Sequence, residues 1–164
     1  MFVMTSDISV CGIGIKPTSV KWHCSVSDYT DTCTIDLPLS LYTRTSGQVT
    51  PGIEGYRQLP FKEGGDVLVM LGYNGVNTLR FMGKVSRINY SVPLQIECEG
   101  YSYCLRNKRF TKSYSKTTAL QILKDLCEGT DIIIQKKNVA DIPLSNVWFK
   151  DFPALEVLDW LKKQ

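Results

Sequence analysis

The chain has 164 residues, of which 43% are hydrophobic and 21% are charged, with a formal net charge of +3. This balance is typical of one or two globular domains and argues against a chain that is disordered throughout. No apolar run approaches the roughly 18 residues of a membrane-spanning helix, and the first residues do not form a signal peptide. We therefore expect the protein to be located in a cytoplasm.

Alternating apolar and polar residues predict β-structure over the first hundred residues. Residues 8–15, 19–28 and 32–37 are expected to form three antiparallel strands in a meander. The second of these carries apolar side chains at every other position, which we expect on one buried face: Val20, Trp22, Cys24 and Val26. A shift of one residue would invert that face, so its register is well specified.

Residues 40–65 interrupt the pattern with seven glycines and prolines, which predicts a long contact loop. A strand over residues 66–73, a turn at Asn74–Gly75 and a second strand over residues 77–90 are expected to form a hairpin. In the second strand, Phe81, Gly83 and Val85 alternate with Met82, Lys84 and Ser86, and Gly83 is expected to permit close packing or a bend. A further strand is predicted from residue 94.

Beyond Leu105, the spacing of apolar residues changes from that of a strand to that of a helix. Helical spacing predicts a helix over residues 117–128, capped by Ser115 or Thr117, and a last helix over residues 152–163. Between them, residues 131–135 are expected to form a short buried strand and residues 136–150 an extended connection. The last helix has no stop signal, which suggests the amino-terminal part of a longer protein. The predicted domains are residues 1–102 and 103–164.

The side chains that support catalysis are few. The one histidine, His23, falls on the polar face of a strand, so a Ser–His–Asp or Cys–His site is not expected. Glu97 and Glu99 lie on one strand face with no third ligand nearby, which favours a solvated surface over a metal site. The six cysteines form no CxxC pair, so we expect reduced structural thiols. The sequence predicts no enzyme, no metal and no cofactor.

A basic segment over residues 106–116 is the main candidate interaction site. It holds five cations and no acidic residue, with aromatic residues between them: Arg106, Lys108, Arg109, Phe110, Lys112, Tyr114 and Lys116. Such a mixture is typical of β-barrel proteins that bind single-stranded nucleic acid through phosphate contacts and base stacking. It is also typical of a solvated linker between domains, in which Phe110 and Tyr114 serve as anchors, and the composition favours this linker interpretation. Both interpretations remain open here.

Five features occur in an order that resembles a known family. They are the strand motif Phe81-Met-Gly83-Lys-Val85, the acidic strand Glu97-Cys-Glu99, Leu105-Arg106, a short helix, and the later motif Ala154-Leu-Glu-Val-Leu158. In this order they resemble the baseplate hub proteins of tailed phages, including the late control protein D type, and the related spike hub modules of type VI secretion systems.

The resemblance implies a mainly β fold with an α+β carboxyl-terminal part. Residues 1–102 would be a tail-tube-like antiparallel β-barrel, and residues 103–164 would begin a second, incomplete module. It also implies a structural, non-enzymatic role in a phage or prophage tail. Hub proteins of this family form homotrimeric rings that join the tail tube to the spike, so the implied location is the virion tail, after assembly in the host bacterial cytoplasm. Nucleic acid would be met only as the passing genome.

Overall fold

The computed structural model describes residues 2–25, 28–38, 43–45, 48–50, 60–134 and 141–164. These residues divide into two compact units, residues 1–103 and 104–164. The first unit contains strands β1 to β9, at Met4–Val10, Ile13–Ile15, Ser19–His23, Thr32–Leu37, Thr43–Thr45, Gln48–Thr50, Asp66–Tyr73, Val76–Asn89 and Leu94–Glu99. A 3-10 helix at Tyr101–Leu105 follows, and the second unit then contains β10 Arg109–Thr118, α1 Ala119–Cys127, β11 Pro143–Pro153 and α2 Ala154–Lys162.

The first unit is one antiparallel sheet with the strand order β3-β4-β9-β8-β7-β1-β2-β5-β6. The mainly β fold is therefore confirmed. The expected closed barrel is wrong for the described strands, because β3 and β6 end the sheet and do not pair with each other. Two of these strands, β5 and β6, fall within the predicted loop over residues 40–65 and pair with each other. Much of the rest of that loop lies outside the described residues.

The expected meander is confirmed for the second and third predicted strands, which pair antiparallel as β3 and β4, and is wrong for the first. Residues 8–15 form a hairpin in place of one strand, because Cys11 and Gly12 both have positive φ, at 54° and 78°. Two such residues form the tight turn that matches the twist of paired strands. The next strand, β3, pairs with β4 at one edge of the sheet, so β4, β9, β8 and β7 lie between β3 and β1.

The hairpin predicted around Asn74–Gly75 is confirmed. Strands β7 and β8 pair antiparallel, and Asn74 and Gly75 have φ values of 53° and 86°. Gly83 lies on the buried face of β8, where an added Cβ would stand 2.8 Å from the carbonyl carbon of Glu99 on β9. Real Cβ contacts are not this short, so the glycine is needed for the close approach of the two strands, as its position predicted.

One face of this sheet forms the core of the first unit. The buried side chains alternate along the central strands and include Ile8, Val10, Ile35, Val69, Phe81, Val85 and Ile96, all at most 3% exposed. They form a single cluster, which is the hydrophobic core of this unit. Trp22, on the edge strand β3, remains 42% exposed, and Cys24, which follows that strand, is also exposed, which corrects their predicted burial; Val26 lies outside the described residues.

The second unit is a two-stranded sheet of β10 and β11 packed with α1 and α2. Thr118 caps α1, since its side chain accepts a hydrogen bond from the Gln121 backbone N–H at 3.3 Å. Neither predicted cap is used, because β10 continues through both positions to Thr118. Residues 143–153 form β11, which corrects the expected extended connection. The strand predicted over residues 131–135 is absent from its described part, where Ile133 is 89% exposed.

Candidate functional site

The basic segment over residues 106–116 is mostly strand β10 and not a solvated linker. The strand pairs antiparallel with β11, so Lys112 lies opposite Phe149, Tyr114 opposite Val147 and Lys116 opposite Ser145. Side chains of a strand alternate between its two faces. Phe110, Lys112 and Tyr114 therefore share one face, the one on which Val147 and Phe149 are buried.

Phe110 is part of the core of the second unit. Its side chain is 4% exposed, and its ring centroid lies 5.5 Å from that of Phe149. The Phe149 ring in turn contacts Trp160 of α2 edge-on at 5.3 Å. A ring enclosed in this way has no free face for a nucleic-acid base, so Phe110 serves packing in this conformation.

Lys112 and Tyr114 bind the one acidic side chain of α1, that of Asp125. The Tyr114 hydroxyl donates to Asp125 Oδ2 at 2.5 Å, and Lys112 Nζ lies 3.2 Å from the same oxygen. The amide of Gln121 also donates to Asp125 at 2.9 Å. Burial alone would raise the pKa of Asp125, but these three hydrogen bonds lower it below its usual value. Burial and the bond to Asp125 together raise the pKa of Tyr114.

The other cations of the segment point to different places. Lys108 Nζ donates to the backbone oxygen of Glu128, and Arg109 Nη1 donates to the backbone oxygen of Asp151 at 3.1 Å. Lys116 is exposed, and Arg106 is exposed with an interaction of its own. The segment lacks acids in sequence, but α1 and β11 supply them in space. The seven predicted residues therefore do not form one continuous basic face.

The polar face of the large sheet carries a ladder of side-chain hydrogen bonds across four strands. Asp36 on β4 accepts from Ser19 of β3 at 2.6 Å and from Gln95 of β9 at 3.1 Å. These bonds lower the pKa of Asp36. Asn89 of β8 extends the ladder by donating to Glu97 at 2.6 Å. Glu97 thus has a structural partner on the sheet surface.

The remaining candidates for chemistry lie apart from one another. His23 Nε2 lies 3.3 Å from Asp28 Oδ2 in an exposed pair, and all six cysteines are free thiols. Within the described ranges, no group of three or more His, Cys, Asp or Glu side chains is arranged to hold a metal ion. Nor does that part of the chain contain a helix long and apolar enough to cross a membrane.

Two exposed apolar patches lie at the ends of strand β8. The first, which we name the tip patch, consists of Phe2, Met4, Tyr73 and Val76, exposed by 82%, 78%, 55% and 75%. Strand register brings them together, because Met4 lies opposite Tyr73, and Tyr73 opposite Val76. The second, the turn patch, consists of Tyr90 and Val92 in the β8–β9 turn, exposed by 64% and 73%.

Sequence reasoning did not identify either patch. The available signal was the pair of apolar residues directly flanking Asn74–Gly75, because a tight hairpin turn projects beyond the body of a sheet. The chain matches no protein-family model and no curated protein.

Proposed function

We propose that this chain is a structural component of the baseplate hub of a phage or prophage tail, where it forms a homotrimeric ring that joins the tail tube to the spike. The observation that carries the proposal is the pair of apolar patches at the two ends of β8. Exposed apolar side chains that cluster, as those of the tip patch do, mark a site of protein–protein contact. The ordered motifs from Phe81 to Leu158 resemble those of phage hub proteins, and for this reason we assign the contact to a hub ring.

The sheet is suited to a structural role because its two faces differ. One face holds the apolar core, and the other carries the hydrogen-bond ladder around Asp36 and Gln95. Subunits that associate through their ends would leave the polar face available to a lumen or to solvent. We propose that the first unit is a tube-like module whose two ends contact its neighbours in the ring.

The partners of such a ring would be the tail tube on one side and the spike on the other, with the virion tail as the final location and the host cytoplasm as the site of synthesis. A binder of single-stranded nucleic acid would instead need the aromatic residues and cations of the segment over residues 106–116 on one surface. The burial of Phe110 and the pairing of Lys112 with Asp125 give that alternative no support.

The molar mass in solution tests the proposal. Light scattering over a series of protein concentrations, at low and high salt, should give a trimer whose stability depends little on salt, because the proposed contacts are apolar. A monomer that binds single-stranded DNA with an affinity that falls steeply with salt would contradict the hub and favour the nucleic-acid alternative.

A further inference from the structure

The tip patch is held in place by the fold and is not a frayed end. The backbone N–H of Val3 donates to Asn74 Oδ1, and the N–H of Asn74 donates to the Val3 carbonyl, at 3.0 Å and 2.8 Å. The ring centroids of Phe2 and Tyr73 lie 6.3 Å apart in an edge-on contact. The start of β1 is thus fixed to the β7–β8 hairpin, and the patch is a preformed surface.

The turn patch lies at the opposite end of the same strand. Val76 begins β8 and Tyr90 follows its last residue, and β8 has 14 residues. At a rise of about 3.3 Å per residue, Val76 and Tyr90 are separated by about 45 Å along the strand. The chain segments that carry the two patches, residues 2–6, 73–79 and 88–94, contain no charged residue.

The exposed area of the two patches approaches what a stable interface between proteins needs. With roughly 170 Å² for each fully exposed side chain, the tip patch presents about 500 Å² and the turn patch about 230 Å². A standard interface buries about 1,600 Å² in total, of which about 900 Å² is apolar. One tip patch and one turn patch together supply most of that apolar area.

We infer that the tip patch of one copy of this chain binds the turn patch of a second copy. This inference rests on the proposed ring, because three identical subunits close a ring only through a heterologous contact, in which two different surfaces meet. Tip-to-tip association would give a twofold dimer and would leave Tyr90 and Val92 exposed. The head-to-tail contact covers both patches at once and leaves each copy with one surface for each neighbour.

Two variants that each introduce a charge, studied alone and as a mixture, test this contact. Val76→Lys blocks the tip and Tyr90→Lys blocks the turn; both positions are well exposed, and Met4→Lys is a second tip variant. Ile133→Lys, at an 89% exposed residue in neither patch, is the matched control. Circular dichroism checks the fold of each variant, and sedimentation velocity gives the mass of each alone and of mixtures.

A head-to-tail contact predicts that each patch variant alone is a monomer, with self-association weakened at least about tenfold, since a charge is costly to bury in an apolar contact. Their mixture should form one-to-one pairs, because the intact turn of one fits the intact tip of the other. The control should assemble like the unchanged chain.

If the Tyr90→Lys variant alone still forms dimers, the subunits pair tip to tip and the inference is overturned. Patch variants that assemble like the unchanged chain would also overturn it, while the proposed ring would stand. If the unchanged chain is monomeric at every concentration, the inference and the ring both fail. Open fibres in place of closed trimers would support the contact and contradict the ring.

Discussion

Gly83→Ala should destabilise the first unit by about 2 kcal/mol. A Cβ at this position would lie 2.8 Å from the Glu99 carbonyl carbon and 2.9 Å from the Gly100 Cα, closer than van der Waals contact allows. Both are backbone atoms, one in the last residue of β9 and one in the residue after it, so relief requires β8 and the end of β9 to move apart. Overpacking of this kind costs about 1–3 kcal/mol, and stretched ladder hydrogen bonds add to it.

Urea unfolding followed by circular dichroism measures the loss, and hydrogen exchange read by mass spectrometry assigns it to β8 and β9. A loss of 2 kcal/mol corresponds to roughly 8–16 °C in the melting temperature of a unit of this size. Gly100→Ala is the matched control, because its added Cβ would meet Asp31 at an ordinary 3.5 Å. If both variants were equally stable, the close approach of the two strands at Gly83 would be refuted.

Asp125→Asn should destabilise the second unit by about 2 kcal/mol near neutral pH, because the Tyr114 hydroxyl loses a charged acceptor. The folded-state pKa of Asp125 is lowered, so its contribution is present above the unfolded value near pH 4 and is lost as the pH falls through the folded value. Acid titration of the variant should therefore show a shallower loss of stability; an unchanged acid profile would contradict this role. Alkylation of the native protein, read by peptide mass spectrometry, should label the exposed Cys24 and spare Cys33 and Cys98. Burial raises the pKa of Cys33 to about 12 and that of Cys98 as well, so equal labelling of all three would show that this core opens.

Local patterns of the first unit predicted its elements better than their arrangement. The Asn74–Gly75 turn and strand β4 follow from short-range chemistry, and the sequence contains that chemistry directly. The place of β3 beside β4 at one edge, far from β1, depends on which strands pair over long distances, and no residue of β3 indicates this. The turn at Cys11 escaped notice because cysteine is an unusual residue at positive φ.

The basic segment shows why the candidate site was harder to predict. Its charge and aromatic content describe composition, but function depends on which face of β10 each side chain occupies and on what lies opposite. Asp125 is nine residues further along the chain than Lys116, and Asp151 is more distant still, so the local count of charges could not include them. Apolar residues at strand ends are usually interpreted as core, which concealed the tip patch around Val76.

Electron microscopy of the assembled protein, averaged into projection classes, tests the central claim most directly. The hub account predicts closed rings with threefold symmetry and a central opening, in which the tip patch around Val76 meets the turn patch of the next subunit. Single isolated subunits, or twofold dimers without an opening, would contradict it.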